Sequence, residues 1–267
     1  MPELPDVEGY RVALAEHLIG WRIQDVTVLD AGILRNVEPN SFRRRLRGHR
    51  FEQPDRRGKW LLLPTDGPIL VLHNGMTGHP YLNLASTSAD GRSDPYDRLV
   101  ISCDGGELRY ADLRKLRGLW LADDSDAVRS IIGRQGPDAL GLSASEFRSA
   151  LRGRRGAVKT VLMNQQVIAG LGNMLSDELC WRARINPART VTELNDAELT
   201  DLHRALRQCL RIAVRYGHIP RTRAWLNSAR SDDQAPCPRC GSRLRREDIG
   251  GRTSIWCPRC QPAPHPG

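Results

Sequence analysis

At 267 residues the chain is long enough for one to three domains with real cores, and 40 Lys and Arg against 31 Asp and Glu leave a net charge of +9. That excess favours a polyanionic partner. No apolar run nears the roughly 18 residues of a membrane helix and no signal-peptide pattern opens the chain, so a cytoplasmic protein without membrane contact is expected. Of the 40 basic residues only Lys59, Lys115 and Lys159 are lysines. Genomic base composition accounts for most of that bias. It also makes the three lysines stand out, because a compact ammonium is not replaced by a planar guanidinium without cost.

The chain opens Met1-Pro2-Glu3-Leu4-Pro5-Asp6-Val7-Glu8. Initiator methionine is normally removed ahead of proline, which would leave Pro2 with a free secondary amine. An α-amino group has a reference pKa of about 7.7–8.0, so a useful fraction is neutral and nucleophilic near pH 7. Attack on a sugar carbon gives an iminium ion that has no N–H to lose and acts as an electron sink. Glu3 is placed to move protons for the same reaction. The same residues also read as a loop start without chemistry.

Val7, Tyr10, Leu14 and Leu18 mark an amphipathic helix over 5–18. Trp21 to Leu29 alternates as a strand does. Further strands are predicted at Trp60–Leu63, Ile69–Leu72, Leu99–Cys103, Leu108–Tyr110 and Leu119–Leu121, separated by Gly, Pro and Asp turns. Ala85–Pro95 reads as an exposed loop. Many short punctuated strands suggest an antiparallel sandwich. Residues 124–142 read as a linker, and from Ser143 onward the pattern is helical: Ser145–Leu151, Val158–Ala169, Asn173–Arg184 and Asp196–Tyr216. Asn195 with Glu198 makes a capping box for the last of these, and Gly217 sits where a C-terminal glycine belongs. Residues 218–236 read as a polar linker, and 261–267 as a frayed tail. The fold class is therefore α+β multidomain: a β-sandwich domain over 1–123, a helical domain over 143–233 and a small C-terminal unit over 234–267.

That last unit carries Cys237-Pro-Arg-Cys240 and, sixteen residues on, Cys257-Pro-Arg-Cys260. Two such knuckles make a closed tetrahedral site for one structural Zn2+, with Cys237, Cys240, Cys257 and Cys260 as ligands. Gly250-Gly251-Arg252-Thr253 would turn a zinc-stapled hairpin and present Arg252 near its tip. Cys103, Cys180 and Cys209 lie in apolar contexts and read as buried free thiols. Gly170-Leu171-Gly172-Asn173 permits a tight turn whose following N–H groups offer a phosphate site, or is an ordinary helix connection. Arg56-Arg57-Gly58-Lys59-Trp60 is a basic turn into a strand, for which solvated charge is the usual account. His73-Asn74-Gly75-Met76-Thr77-Gly78 ends a strand in a turn that holds up a methionine, either a wedge between bases or a poorly buried side chain. Asp112-Leu113-Arg114-Lys115-Leu116-Arg117-Gly118 is a second basic loop with an exposed leucine.

In this order, and essentially end to end, these motifs resemble the bacterial formamidopyrimidine-DNA glycosylase / endonuclease VIII family. The chain start matches that family's PELPEVE, Gly58-Lys59 its GK-aromatic-Leu strand, and His73–Gly78 its HxGM(S/T)G turn. Lys159–Glu178 matches its helix–two-turn–helix segment, and Gly251-Arg252-Thr253 with the four cysteines its zinc finger. The resemblance implies a base-excision enzyme that removes oxidised bases and nicks the strand by β,δ-elimination. Pro2 would be the nucleophile at C1′ and Glu3 the proton donor. Lys59, Asn173 and Arg252 would grip phosphates, Lys159 would lie near the lesion, and Met76, Arg114 and Leu116 would fill the gap in the duplex. It further implies a monomer acting at the bacterial nucleoid, with damaged DNA in a cleft between the two main domains. Two departures bear on the lesion: Leu116 stands where phenylalanine is usual, and only Gly217–Pro236 is available where the formamidopyrimidine branch has a longer insertion. Weak action on 8-oxoguanine is expected. The alternative is a non-enzymatic zinc-ribbon DNA-binding protein on the same fold.

Overall fold

The structure is a computed structural model that describes residues 2–86 and 93–263. Met1, residues 87–92 of the expected Ala85–Pro95 loop, and 264–267 of the expected tail lie outside the described residues. The chain divides into two units: Pro2 with Asp6–Arg134, and Glu3–Pro5 with Gln135 onward.

The first unit holds α1 (Leu4–Ala15) from Asp6 onward, then β1 (Ile23–Val28), α2 (Pro39–Leu46), β2 (Asp55–Arg57), β3 (Trp60–Leu63), β4 (Ile69–His73), β5 (His79–Leu84), β6 (Asp97–Cys103), β7 (Gly106–Ala111), β8 (Gly118–Ala122) and α3 (Ser125–Ile132). Two antiparallel four-stranded sheets form, in the orders β1-β6-β7-β5 and β2-β3-β4-β8. Their shared core holds Leu61, Leu70 and Leu121 from one sheet and Ile23, Ile101 and Tyr110 from the other, with Leu14 of α1 and Phe42 of α2. This is the sandwich the strand pattern predicts.

Helix α3 lies inside the stretch read as a linker. Asp124 caps it by accepting the Ala127 N–H at 2.8 Å, and Val128 packs with Trp60, Val71 and Ala122 on the outer face of the second sheet. The acidic and glycine-rich flanks obscured the Val128, Ile131, Ile132 spacing that drives it.

The second unit contains α4 (Ala144–Leu151), α5 (Val158–Met163), α6 (Asn173–Arg182), α7 (Asp196–Tyr216) and the two-stranded ribbon β9 (Arg245–Asp248) and β10 (Thr253–Trp256). Phe147, Leu162, Leu175, Leu179, Leu202 and Leu206 form its main core. The capping box predicted for α7 is present, and Gly217 closes the helix in the left-handed region. Residues 218–236 are not a loose linker. Ile219, Trp225, Leu226 and Ala229 are buried there, and Leu226–Ala229 forms a 3-10 turn. Cys103, Cys180 and Cys209 are buried and free. No helix among the described residues is long and apolar enough to cross a membrane.

Candidate active site

The turn between α5 and α6 is where the start of the chain is held. The sequence pattern runs α5 on to Ala169, but the helix ends at Met163. Gln165 explains why: its amide nitrogen donates to the carbonyls of Met163 and Leu171, each at 2.7 Å, and its oxygen accepts the Gly170 N–H at 2.9 Å. One side chain thus meets three backbone groups that a continued helix would have met itself. Gly170 has φ of +108°, and a Cβ there would lie 2.5 Å from Leu4 Cδ1. The glycine therefore supplies both the backbone conformation and the room for Leu4, whose N–H donates to the Gly170 carbonyl at 3.0 Å.

Helix α6 has no side-chain cap of its own. Glu3 supplies one from the other end of the sequence. Its fully buried carboxylate accepts the N–H groups of Gly172 at 2.8 Å, Met174 at 2.8 Å and Leu175 at 3.2 Å. Three amide donors and the positive end of the helix favour the anion. The site the glycine turn seemed to offer a phosphate is thus occupied by Glu3.

Lys159 is not a surface residue. Its ammonium is fully buried, 2.8 Å from the Asp177 carboxylate and 3.1 Å from the Thr253 carbonyl. Burial holds its pKa below the ordinary lysine value while Asp177 opposes that fall. Asp177 also pairs with Arg230 and accepts the Ser254 hydroxyl at 2.8 Å and the Ile255 N–H at 3.2 Å. Asn173 donates to the Thr253 carbonyl as well, at 3.2 Å. Lys159 and Asn173 therefore converge on the ribbon residue next to Arg252, which is exposed at the β9–β10 turn. The Lys159 ammonium is thus bonded to the hairpin that displays Arg252. Asp177 is hard to read from sequence because its partners Ser254 and Ile255 lie 77 and 78 residues away.

In the first unit the basic turn before β3 is only partly solvated. Arg56 bonds Glu8 at 2.9 Å and the Gly58 carbonyl at 2.8 Å. Burial raises the Glu8 pKa, but hydrogen bonds from Arg11 and Arg56 outweigh it and hold the carboxyl below its usual range. Lys59 is half-buried at the head of β3. His73, at the end of β4, is pushed down to about 4 by burial, helped by the charges of Arg117 and Lys59. Its Nδ1 accepts the Gly75 N–H at 3.1 Å, so near pH 7 the neutral ring carries its proton on Nε2.

Met76 and Leu116 are exposed by 39% and 52%, and Leu113 by 51%. For side chains of this size that exposure marks projection into solvent. Arg114 meets Met76 through an Nη1–Sδ contact of 3.0 Å. Lys115, between Arg114 and Leu116, is left-handed at φ of 49°, a conformation sparsely populated by residues with a Cβ. Its ammonium bonds Asp30 at 2.7 Å and its carbonyl accepts Arg35 at 2.7 Å, so the surroundings hold it there.

The sulfur atoms of Cys237, Cys240, Cys257 and Cys260 lie within 4.8 Å of one another. The Cys237–Cys260 and Cys240–Cys257 separations are 4.0 and 3.5 Å, bracketing the edge of about 3.8 Å that Zn–S bonds of about 2.3 Å give a tetrahedron. These residues fit a structural zinc ion, and Trp181 donates its indole N–H to Cys237 at 3.4 Å.

Family models match along the chain in order: the formamidopyrimidine-DNA glycosylase N-terminal domain over residues 1–119, its H2TH domain over 135–223, and the zinc finger found in FPG and IleRS over 235–263. The formamidopyrimidine-DNA glycosylase of Symbiobacterium thermophilum is 34% identical, with 99% of this chain and 90% of that protein covered. The one from Thermomicrobium roseum is 36% identical, covering 98% of this chain and 99% of its own. The chain belongs to the formamidopyrimidine-DNA glycosylase family. Among solved structures, the Lactococcus lactis family member bound non-covalently to DNA containing an AP site superposes with a TM-score of 0.85 at 25% identity, covering 98% of this chain and 100% of that one. A family member in complex with DNA containing carbocyclic 8-oxo-G superposes with the same score at 26% identity, with the same coverage.

Proposed function

We propose that the chain excises damaged bases from DNA and nicks the strand at the resulting site, using the amine of Pro2 once Met1 has been removed. The observation that carries this reading is the fixing of Glu3 by three amides of the α5–α6 turn, which anchors the residue covalently next to Pro2. The Pro2 nitrogen attacks C1′ as the base leaves, giving an iminium. That ion acidifies C2′, so β-elimination releases one side of the sugar and δ-elimination the other. Glu3 starts as an anion. It takes up the proton that the Pro2 ammonium must lose and returns it to the opening sugar. Lys59, Asn173 and Arg252 contact phosphates, and Met76, Arg114 and Leu116 fill the space the extruded nucleotide leaves. The protein acts as a monomer on nucleoid DNA. The buried packing of Trp225 and Leu226 splits the exposed part of the 217–236 segment into the short stretches 221–224 and 231–234, which supports weak action on 8-oxoguanine.

Borohydride trapping on abasic-site DNA tests the mechanism. Native protein and Lys59→Arg should form the covalent adduct, mapped to Pro2. Protein with an uncleavable residue ahead of Pro2 should not, because its Pro2 nitrogen is a tertiary amide without a usable lone pair. Full trapping by the extended protein would reject the N-terminal mechanism and move the attacking amine to Lys59 or Lys159.

A further inference from the structure

We infer that Thr77 and Asp112 form a clamp that joins the Met76 turn and the Arg114–Leu116 loop into one wedge, and that extrusion of a paired base depends on that clamp. The inference rests on the glycosylase reading above. Thr77 donates its hydroxyl to Asp112 Oδ1 at 2.5 Å. The Arg114 N–H is shared between Thr77 Oγ1 at 3.0 Å and the same Asp112 oxygen at 3.1 Å. One carboxylate oxygen thus takes one donor from each loop, and the Arg114–Met76 contact repeats the link at the tips.

Asp112 is itself immobilised from behind. Its N–H donates to the Tyr96 carbonyl at 2.9 Å, and its carbonyl accepts Arg98 at 3.0 Å. The side chain is buried, and a buried carboxylate is costly unless its bonds are put to use. Here Oδ1 is bonded to both loops, while Oδ2 is buried without a hydrogen-bond partner among the described residues. Beneath the turn, Gly78 makes the arrangement possible: a Cβ there would lie 2.1 Å from the Tyr110 hydroxyl and 2.7 Å from the Asn74 carbonyl. Burial, then the Asp112 charge, push the Tyr110 phenol up, so it stays protonated beside the clamp. Asn74 is buried with neither atom of its amide group bonded among the described residues. The turn is thus retained in a conformation that its own polar groups do not fully satisfy.

A clamp and a plain structural fastening differ in which substrate they affect. A paired base must be unpaired and unstacked before chemistry, whereas an abasic site has no base to extrude. Single-turnover rates should be measured for full-length zinc-loaded protein on two duplexes. One carries a ring-opened purine opposite cytosine and the other a preformed abasic site. Thr77→Val should slow excision about tenfold or more while abasic-site cleavage stays within about threefold, since misplacing a positioning group by about 1 Å is enough for such losses. Thr77→Ser should restore excision, and Asp112→Asn should repeat the selective loss. The fluorescence rise of 2-aminopurine beside the lesion should slow in step. Equal losses on both substrates, or no loss on either, would overturn the clamp. Wild-type protein inert on both duplexes would instead overturn the glycosylase reading beneath it.

Discussion

Glu178 has no exposed surface, and burial raises its carboxyl to about 7 despite the Arg182 guanidinium at 2.7 Å and the Leu226 N–H at 2.8 Å. The folded pKa lies above the ordinary value of 4.5, so the fold binds this proton more tightly than the unfolded chain does. Its contribution to stability is complete below pH 4.5 and is lost as pH rises through 7. Between pH 4.5 and 8, wild type should lose about 3 kcal/mol relative to Glu178→Gln in urea unfolding. Parallel pH profiles would mean that Glu178 does not titrate in the folded protein. Residues whose chemistry is local were legible in the sequence. The four cysteines show themselves by their spacing. Glu178 and Asp177 were opaque because their backbone partners Leu226 and Ile255 lie 48 and 78 residues away, and Gln165 because nothing in its local pattern separates it from a surface glutamine. The burial of Lys159 was hidden for the same reason, since nothing near it in sequence points to Asp177.

The α5–α6 turn shows how local pattern succeeds and fails along one element. Helix α7 was legible to the residue because its cap, stripe and closing glycine all lie within it. Helix α5 was overextended because Val167, Ile168 and Ala169 continue an apolar pattern, while the side chain that ends the helix looks like any surface glutamine. Strand β2 and helix α2 were missed because arginine-rich segments carry little apolar signal, although Phe42 and Leu46 of α2 are buried. The turn also makes a prediction. Gly170→Ala must accommodate a Cβ 2.5 Å from Leu4 at positive φ, so the protein should be destabilised by about 1–3 kcal/mol. Because Leu4 follows Glu3, trapping on abasic-site DNA should fall more than the melting temperature alone explains. A variant with wild-type melting and wild-type trapping would show that the turn tolerates the methyl group.

Across the whole molecule, a charge of +9 sets a general attraction for DNA, and individual cations decide how that attraction is used. Arg252→Ala leaves the cysteine cluster and the β9–β10 pairing untouched. Zinc content should therefore stay at one ion per chain while the slope of log affinity against log salt falls in magnitude by about one. An unchanged slope with unchanged incision would place Arg252 away from DNA. The bond between Glu3 and Gly172 has a consequence for how the protein is made. Its partners are 169 residues apart, so the first residues to leave the ribosome find their place among the last half to be synthesised. Leu4 likewise belongs to the core of the later unit. A nascent chain can complete its sandwich strands and still lack a seated N-terminus. Under the proposed Pro2 mechanism, emerging chains should be chemically silent toward the genome until the second unit has folded. A ribosome stalled before residue 170 should yield protein that never traps on abasic DNA, however well its first unit has formed.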